Sequence, residues 1–298
     1  MPKIAYKDDV MIQKPLTWAK PATDVTTQVS ILESRNMTFS DKSKAENILR
    51  RVNYYRFCLY ANSLVPVKDD FTSLSFEDVA IFYNLDRELR SILMEALSWA
   101  EVSFRTVFAY TVSNDKQDPF FYLDSSNFRN SSFHAKALLE CEKDFKNAGI
   151  AVIGQNSNGK DIYEAPPAWK MVEIVSFGKI SKLFCNIDKV KYLDKVGKYF
   201  GFSKTEIKSV IKSLADLRNQ CAHHRKILFS NFNSTPAITQ DMRALQINGN
   251  KIGCFIFCLY KMMKNDADMQ KTFFNKISEL YKKCPADIKN EFGTGCFL

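Results

Sequence analysis

Of the 298 residues, 42 are Lys or Arg and 33 are Asp or Glu, a formal charge of +9, while only 10 are Gly and 9 are Pro. So few residues with special backbone dihedrals exclude the frequent tight turns of a β-sandwich or barrel, and 46% hydrophobic content with 13% aromatics excludes general disorder. No uncharged apolar stretch approaches the roughly 20 residues of a membrane span and the first nine residues hold no apolar signal core, so a soluble, cytoplasmic, mainly helical protein is expected.

Residues 1–22, with Pro2, Pro15 and Pro21 and no periodicity, read as an entry arm, and residues 23–298 as one compact helical unit. A short helix is predicted from Asp24 to Arg35. Asp41 or Ser40 caps a second, whose apolar positions Ile48, Leu49, Val52, Tyr55, Phe57 and Tyr60 recur at three- and four-residue steps, so two helices precede residue 65. Ser75-Phe76-Glu77-Asp78 opens the longest periodic stretch, a broad apolar stripe from Val79 to Phe108 that marks a central helix or a closely linked pair. Asn130 with Ser131 and Ser132 reads as the N-cap of a helix ending at Asn147. Residues 148–168, with Gly149, Gly154, Gly159 and no period, read as one long loop.

Helices are predicted again at Trp169–Cys185, Lys189–Tyr199 and from Ser203 to near Lys226. Ser203-Lys204-Thr205-Glu206 is a capping box, in which serine hydroxyl and glutamate carboxylate satisfy each other's backbone donors. Further helices are expected at 237–246, 252–264 and 266–282, with Asn248-Gly249-Asn250 as a turn and the place for at most a short hairpin. The eight cysteines include no Cys-x-x-Cys pair and accompany only three histidines, so reduced thiols, no metal site and no cofactor are expected. Cys254 and Cys258 stand at helical spacing in an apolar run and read as core.

Chemistry concentrates in Asp216-Leu217-Arg218-Asn219-Gln220-Cys221-Ala222-His223-His224-Arg225, near the end of a helix whose inner face is Ile207, Val210, Ile211, Leu214, Leu217 and Cys221. Arg218, Asn219, His223 and His224 fall outside that face. Imidazole moves protons near neutral pH, and a guanidinium fork stabilises charge on phosphoryl oxygens. Together, without a metal, they suit cleavage of RNA by its own 2′-hydroxyl, with Asn219 as a hydrogen-bonding support. On one regular helix Arg218 and His223 stand about 140° apart, so they converge only if the helix ends or bends near His223 or if a symmetric partner completes the cleft. The string Arg129-Asn130-Ser131-Ser132-Phe133-His134 repeats the pattern, but it spans a loop and an N-cap and reads as a coincidence of capping residues.

Six strings in series, Val52-Asn53-Tyr54-Tyr55-Arg56, Leu85-Asp86-Arg87-Glu88-Leu89-Arg90, Glu101-Val102-Ser103-Phe104-Arg105, Pro167-Ala168-Trp169, Ser176-Phe177-Gly178 and Leu217 to His224, resemble the Abi-type abortive infection proteins of bacteria, the AbiD and AbiF group. That group is similar to the HEPN superfamily of all-α ribonucleases. The resemblance implies an all-α, multi-helix HEPN-like bundle, with its core at about 75–230 and additional N- and C-terminal helices. It also implies a metal-independent endoribonuclease of phage defence, with Arg218 and His223 as catalytic pair in a dimeric composite site. Association with a structured noncoding RNA is a further implication. The alternative is a noncatalytic RNA-binding or partner-binding helical module.

Around the pair, Asn219, His224, Glu101 and Arg105 are candidate supporting residues. Asp86 to Arg90 and Glu101 to Arg105 have the spacing of ion pairs on a helix surface, and the apolar neighbours of Glu101 and Arg105 also allow a buried pair that orients the motif helix. Nine lysines between 179 and 212 face only Asp188, Asp194 and Glu206 in that stretch. A solvated face and an RNA-tracking surface both fit them, with Lys179, Lys182, Lys204, Lys208 and Lys212 as candidate contacts. Tyr54, Tyr55 and Trp169 read as packing residues, and Gly178 as permitting close helix approach.

Overall fold

The computed structural model describes residues 21–247 and 249–293, so nearly all of the expected entry arm, Asn248 of the expected turn and Cys296 lie outside the described residues. The chain divides into two compact units between Tyr83 and Asn84, where the sequence reading drew a single one from residue 23. The described residues form thirteen α-helices and one two-stranded sheet, so the fold is all-α. None of their helices is long and apolar enough to cross a membrane.

The first unit holds α1 (Val25–Ser34), α2 (Lys42–Leu49), α3 (Tyr54–Ala61) and the first turns of α4 (Phe76–Lys116). Asp24 and Asp41 cap α1 and α2 by accepting from the Thr27 and Lys44 amides. Three helices precede residue 65 where two were expected: Asn53 accepts from the Tyr55 amide and starts α3 afresh, breaking the stripe after Leu49. Phe57 stacks on Phe76 with ring centroids 4.3 Å apart, and Tyr60 meets Phe82 and Tyr83 edge-on. Tyr55 is 73% exposed, contrary to its reading as core.

The second unit is built on the rest of α4, which runs unbroken for 41 residues, a single helix and not a linked pair. Phe104 and Phe108 point from it into an aromatic cluster with Phe121, Phe177 and Phe184. Helix α5 (Ser131–Asn147) has Asn130 as its N-cap, as expected. The expected loop 148–168 contains an exposed hairpin, β1 (Val152–Gln155) pairing antiparallel with β2 (Asp161–Tyr163), turned at Gly159 with φ +73°. Alternation there is too short and too solvated to leave a periodic signal, and no hairpin forms beside Gly249 among the described residues.

The stretch Trp169–Cys185 is two helices, α6 (Ala168–Ile174) and α7 (Phe177–Asn186), because Val175 is extended between them. Next come α8 (Val190–Phe200) and α9 (Lys204–Ala222), then α10 (Gln240–Ala244), α11 (Ile252–Met262), α12 (Ala267–Lys283) and the unforeseen α13 (Ala286–Lys289). Helix α9 lies against α7, α8 and α11, with Ile207, Val210, Ile211, Leu214, Leu217 and Cys221 all buried as their spacing predicts. Cys254 and Cys258 are buried on α11, and the described residues hold no group of ligands suited to a metal ion.

Candidate functional site

The start of α9 is set by the capping box, since Ser203 Oγ accepts from the Glu206 amide and Glu206 Oε2 from the Ser203 amide. Its end is set as sharply, and about a turn earlier than the expected limit near Lys226. His224 takes a left-handed conformation with φ +53°; its amide donates to Cys221 O and the Arg225 amide to Gln220 O. These paired bonds are a Schellman closure, a place glycine usually fills. His223 is therefore the last residue in line with the helix, and its exposed imidazole makes no hydrogen bond among the described residues.

Arg218 faces α4. Its Nε donates to Glu101 Oε2 and its Nη2 to Glu101 Oε1, both at 2.9 Å, a bidentate fork. Arg105, one turn on from Glu101, donates to the same carboxylate and to Val175 O at 3.1 Å, tying α4 to the break between α6 and α7. Burial of Glu101 and Arg105 corrects the reading of a surface ion pair in favour of a buried pair that orients the motif helix. One carboxylate meets two guanidiniums, so the cluster keeps a net positive charge. Arg218 is 28% exposed, and its Nη1 donates to Asn219 Oδ1 at 3.2 Å. These contacts use three of the five guanidinium N–H groups, and the others remain for an anion.

A second buried pair on α4 supports the chain beyond the motif. Arg90 pairs with Asp86, whose other oxygen accepts from the Ile227 and Leu228 amides at 2.9 and 2.8 Å, while Arg90 Nη1 donates to Arg225 O. Asp86 is fully buried, so this pair too departs from the surface reading. Its effect is to hold the turn that follows His223.

A pocket of about 180 Å³ opens at this turn, lined by Asp216, Asn219, Gln220, His223, Arg225 and Asn233. Arg218 is outside the lining. Asn219 links the two halves of the motif, receiving Arg218 on its amide oxygen and bordering the pocket beside His223. Burial pushes the Asp216 carboxyl up, with Lys212 acting against it. Sequence reasoning assigned no role to Gln220, Arg225 or Asn233; Asn233 had no signal at all, because the polar stretch that carries it is placed only by the fold. His224 is exposed and turned off the helix line.

The other sequence candidates separate cleanly. Lys179 pairs with Asp144 and Lys182 with Glu140, each at 2.8 Å, and Lys191 and Lys195 share Asp115, so carboxylates of α4 and α5 neutralise much of the expected basic face. Lys204, Lys208 and Lys212 make no ion pair among the described residues. His134, in the duplicate string, is buried, bonds Tyr122 O through Nε2 at 2.7 Å and stacks on Phe128 at 4.1 Å. Trp169 packs as read, stacked on Tyr110, but on the surface and half-exposed. A Cβ at Gly178 would come no nearer than 4.0 Å to Asn219 Nδ2, so close approach is not what requires glycine there.

A family model described as Abi-like protein matches residues 47–229, more than half of the chain and all of α3 to α9. No curated protein and no solved structure matches it.

Proposed function

Because the chain belongs to the Abi-like protein family, and because Arg218, Asn219 and His223 end one helix on a preorganised support, we propose that it is an abortive infection protein acting as a metal-independent, HEPN-type endoribonuclease. The observation that carries the reading is the anchoring of Arg218 by Glu101 on the helix that ends at an exposed, unbonded His223. A residually cationic guanidinium cluster and an accessible imidazole are what cleavage by the 2′-hydroxyl needs. In that reaction the 2′-oxygen bonds to phosphorus and the bond to the 5′-oxygen breaks. One imidazole takes the 2′ proton and another group returns a proton to the leaving oxygen. Asn219 holds the guanidinium in register with the pocket.

A homodimer with facing α9 helices would supply two imidazoles to one cleft, one as base and one as acid, and would bring a partner's His223 to the Arg218 that the same chain's own pocket excludes. Cytoplasmic RNA is the substrate in this reading, and a structured noncoding RNA is a candidate companion. Induced expression should arrest growth for the wild type and not for His223→Ala, a substitution at an exposed position. Purified protein should cleave RNA in the presence of chelator, and mixing Arg218→Lys with His223→Ala chains should restore part of the activity. Cleavage that needs added magnesium or zinc would overturn the mechanism.

One observation favours a second reading. The Glu101 fork also locks α9 to α4 without any ligand, as a purely structural arginine would. A noncatalytic RNA-binding or partner-binding module would bind RNA or a protein partner, cleave no RNA, and arrest growth equally with and without His223.

A further inference from the structure

Lys208, Lys212, Asp216, Asn219 and His223 follow one another at four- and three-residue steps and so share one face of α9. His223 stands at one end of that face. At the Lys212 end lies a groove of about 320 Å³, between the first turn of α5, the last turns of α7 and α9, lined by Phe133, Ser181, Lys182, Cys185, Asn186 and Lys212. His223 stands eleven positions on from Lys212, about 16 Å along the helix axis. This groove is larger than the pocket at His223, and nothing in the cleavage chemistry uses it.

Its polar groups are mostly spent within the protein. Asn186 Nδ2 donates to Asn130 O while Asn186 Oδ1 accepts from the Asn130 amide, Ser181 Oγ donates to Gly178 O, and Lys182 is held by Glu140. Two features are left open to a ligand. The Phe133 ring is 41% exposed at the rim, although the helix it starts buries its other aromatic, Phe145. Lys212 has an exposed ammonium without an ion pair among the described residues, and Lys208 and Arg129 add positive charge nearby, against Asp188 and Asp216. An aromatic face beside an ammonium group held in no ion pair, in a net positive surround, is the recognition chemistry of a single-stranded nucleotide, whose base stacks and whose phosphate pairs.

We propose that the Phe133–Cys185–Lys212 groove is a nucleotide subsite for single-stranded RNA, taking one base of the strand that passes His223, with the base on Phe133 and its phosphate on Lys212. Because the amide and hydroxyl groups of the wall are already bonded, the subsite reads the presence of a base and not the pattern of its edges. It therefore sets where the strand lies on α9 while tolerating any base. The assignment rests on the RNA reading of the α9 site.

The test uses the full chain carrying His223→Ala, which binds without turnover, and a short fluorescein-labelled oligoadenylate followed by anisotropy. Phe133→Ala should weaken binding roughly ten-fold and Phe133→Tyr should retain it, since tyrosine keeps the stacking face. Lys212→Ala should weaken binding several-fold and flatten its salt dependence by about one phosphate contact. Oligoadenylate and oligouridylate should respond alike, and a single abasic residue placed in the groove's register should abolish the penalty of Phe133→Ala. Unchanged binding by both alanine variants, each with the helical circular dichroism of the parent, would overturn the subsite. Wild-type chain that cleaves RNA with neither variant altering KM would leave the nuclease reading standing and remove the subsite. Binding sensitive to both variants in a wild-type chain that never cleaves would keep the subsite and remove the nuclease reading.

Discussion

Glu101 accepts both Nε and Nη2 of Arg218 at 2.9 Å across 117 positions of sequence, and the same carboxylate receives Arg105. Removing Glu101 therefore strands two guanidiniums, one of them buried, whereas removing Arg218 leaves the Glu101–Arg105 pair intact. Glu101→Ala should cost about 3–5 kcal/mol of stability and Arg218→Ala clearly less, about 1–3 kcal/mol, by urea denaturation. Equal costs would mean that the cluster is held by something other than the shared carboxylate.

The two copies of the Arg-Asn-x-x-x-His string should respond in opposite ways. His134 is buried, bonded to Tyr122 O and stacked on Phe128, so His134→Ala should lower stability by about 1–3 kcal/mol and leave RNA cleavage by the folded fraction near the wild-type rate. His223→Ala should leave stability within about 0.5 kcal/mol and abolish cleavage. Loss of cleavage from both, in variants shown to be folded, would mean that a second motif takes part.

Acid sensitivity has an identifiable source on the surface between α4 and α8. Lys191 first, then Lys195 and Tyr192, hold the Asp115 carboxyl well below the usual carboxylate range. A carboxylate with a depressed folded value adds stability above its unfolded value, near pH 4, and loses it as pH falls through the lower folded value. Asp115→Asn should therefore lower the thermal midpoint at pH 7 slightly and leave it unchanged relative to wild type at the acid end. High salt should shrink the difference at pH 7, because both lysine partners are exposed.

Gly253 offers a test of packing that reverses the usual helix preference. Glycine to alanine inside a helix normally gains up to about 1 kcal/mol. On α11 a Cβ at position 253 would lie 2.1 Å from Phe292 O, and the Gly253 amide itself donates to Glu291 O. Gly253→Ala should destabilise by about 1–3 kcal/mol, seen as a lower denaturation midpoint. A stabilised variant would show that the segment after α13 yields freely.

The helical class, the capping box at Ser203, the caps at Asp41 and Asn130 and the buried stripe of α9 were all legible in the sequence. Each depends on residues within a few positions of one another, where backbone geometry alone decides which groups meet. The tight end of α9 was not legible, because a left-handed closure at His224 uses a residue type that carries no such signal, where glycine would have announced it. Nor could spacing tell that Asp86–Arg90 and Glu101–Arg105 are buried. The same four-residue step suits a solvated pair, and only the packing of α6, α9 and the chain after His223 against α4 takes these charges out of water. Part of the apparent basic face between 179 and 212, at Lys179, Lys182, Lys191 and Lys195, is neutralised for the same reason: its counter-charges, Asp115, Glu140 and Asp144, lie dozens of positions away, and charge balance is a property of distance in space.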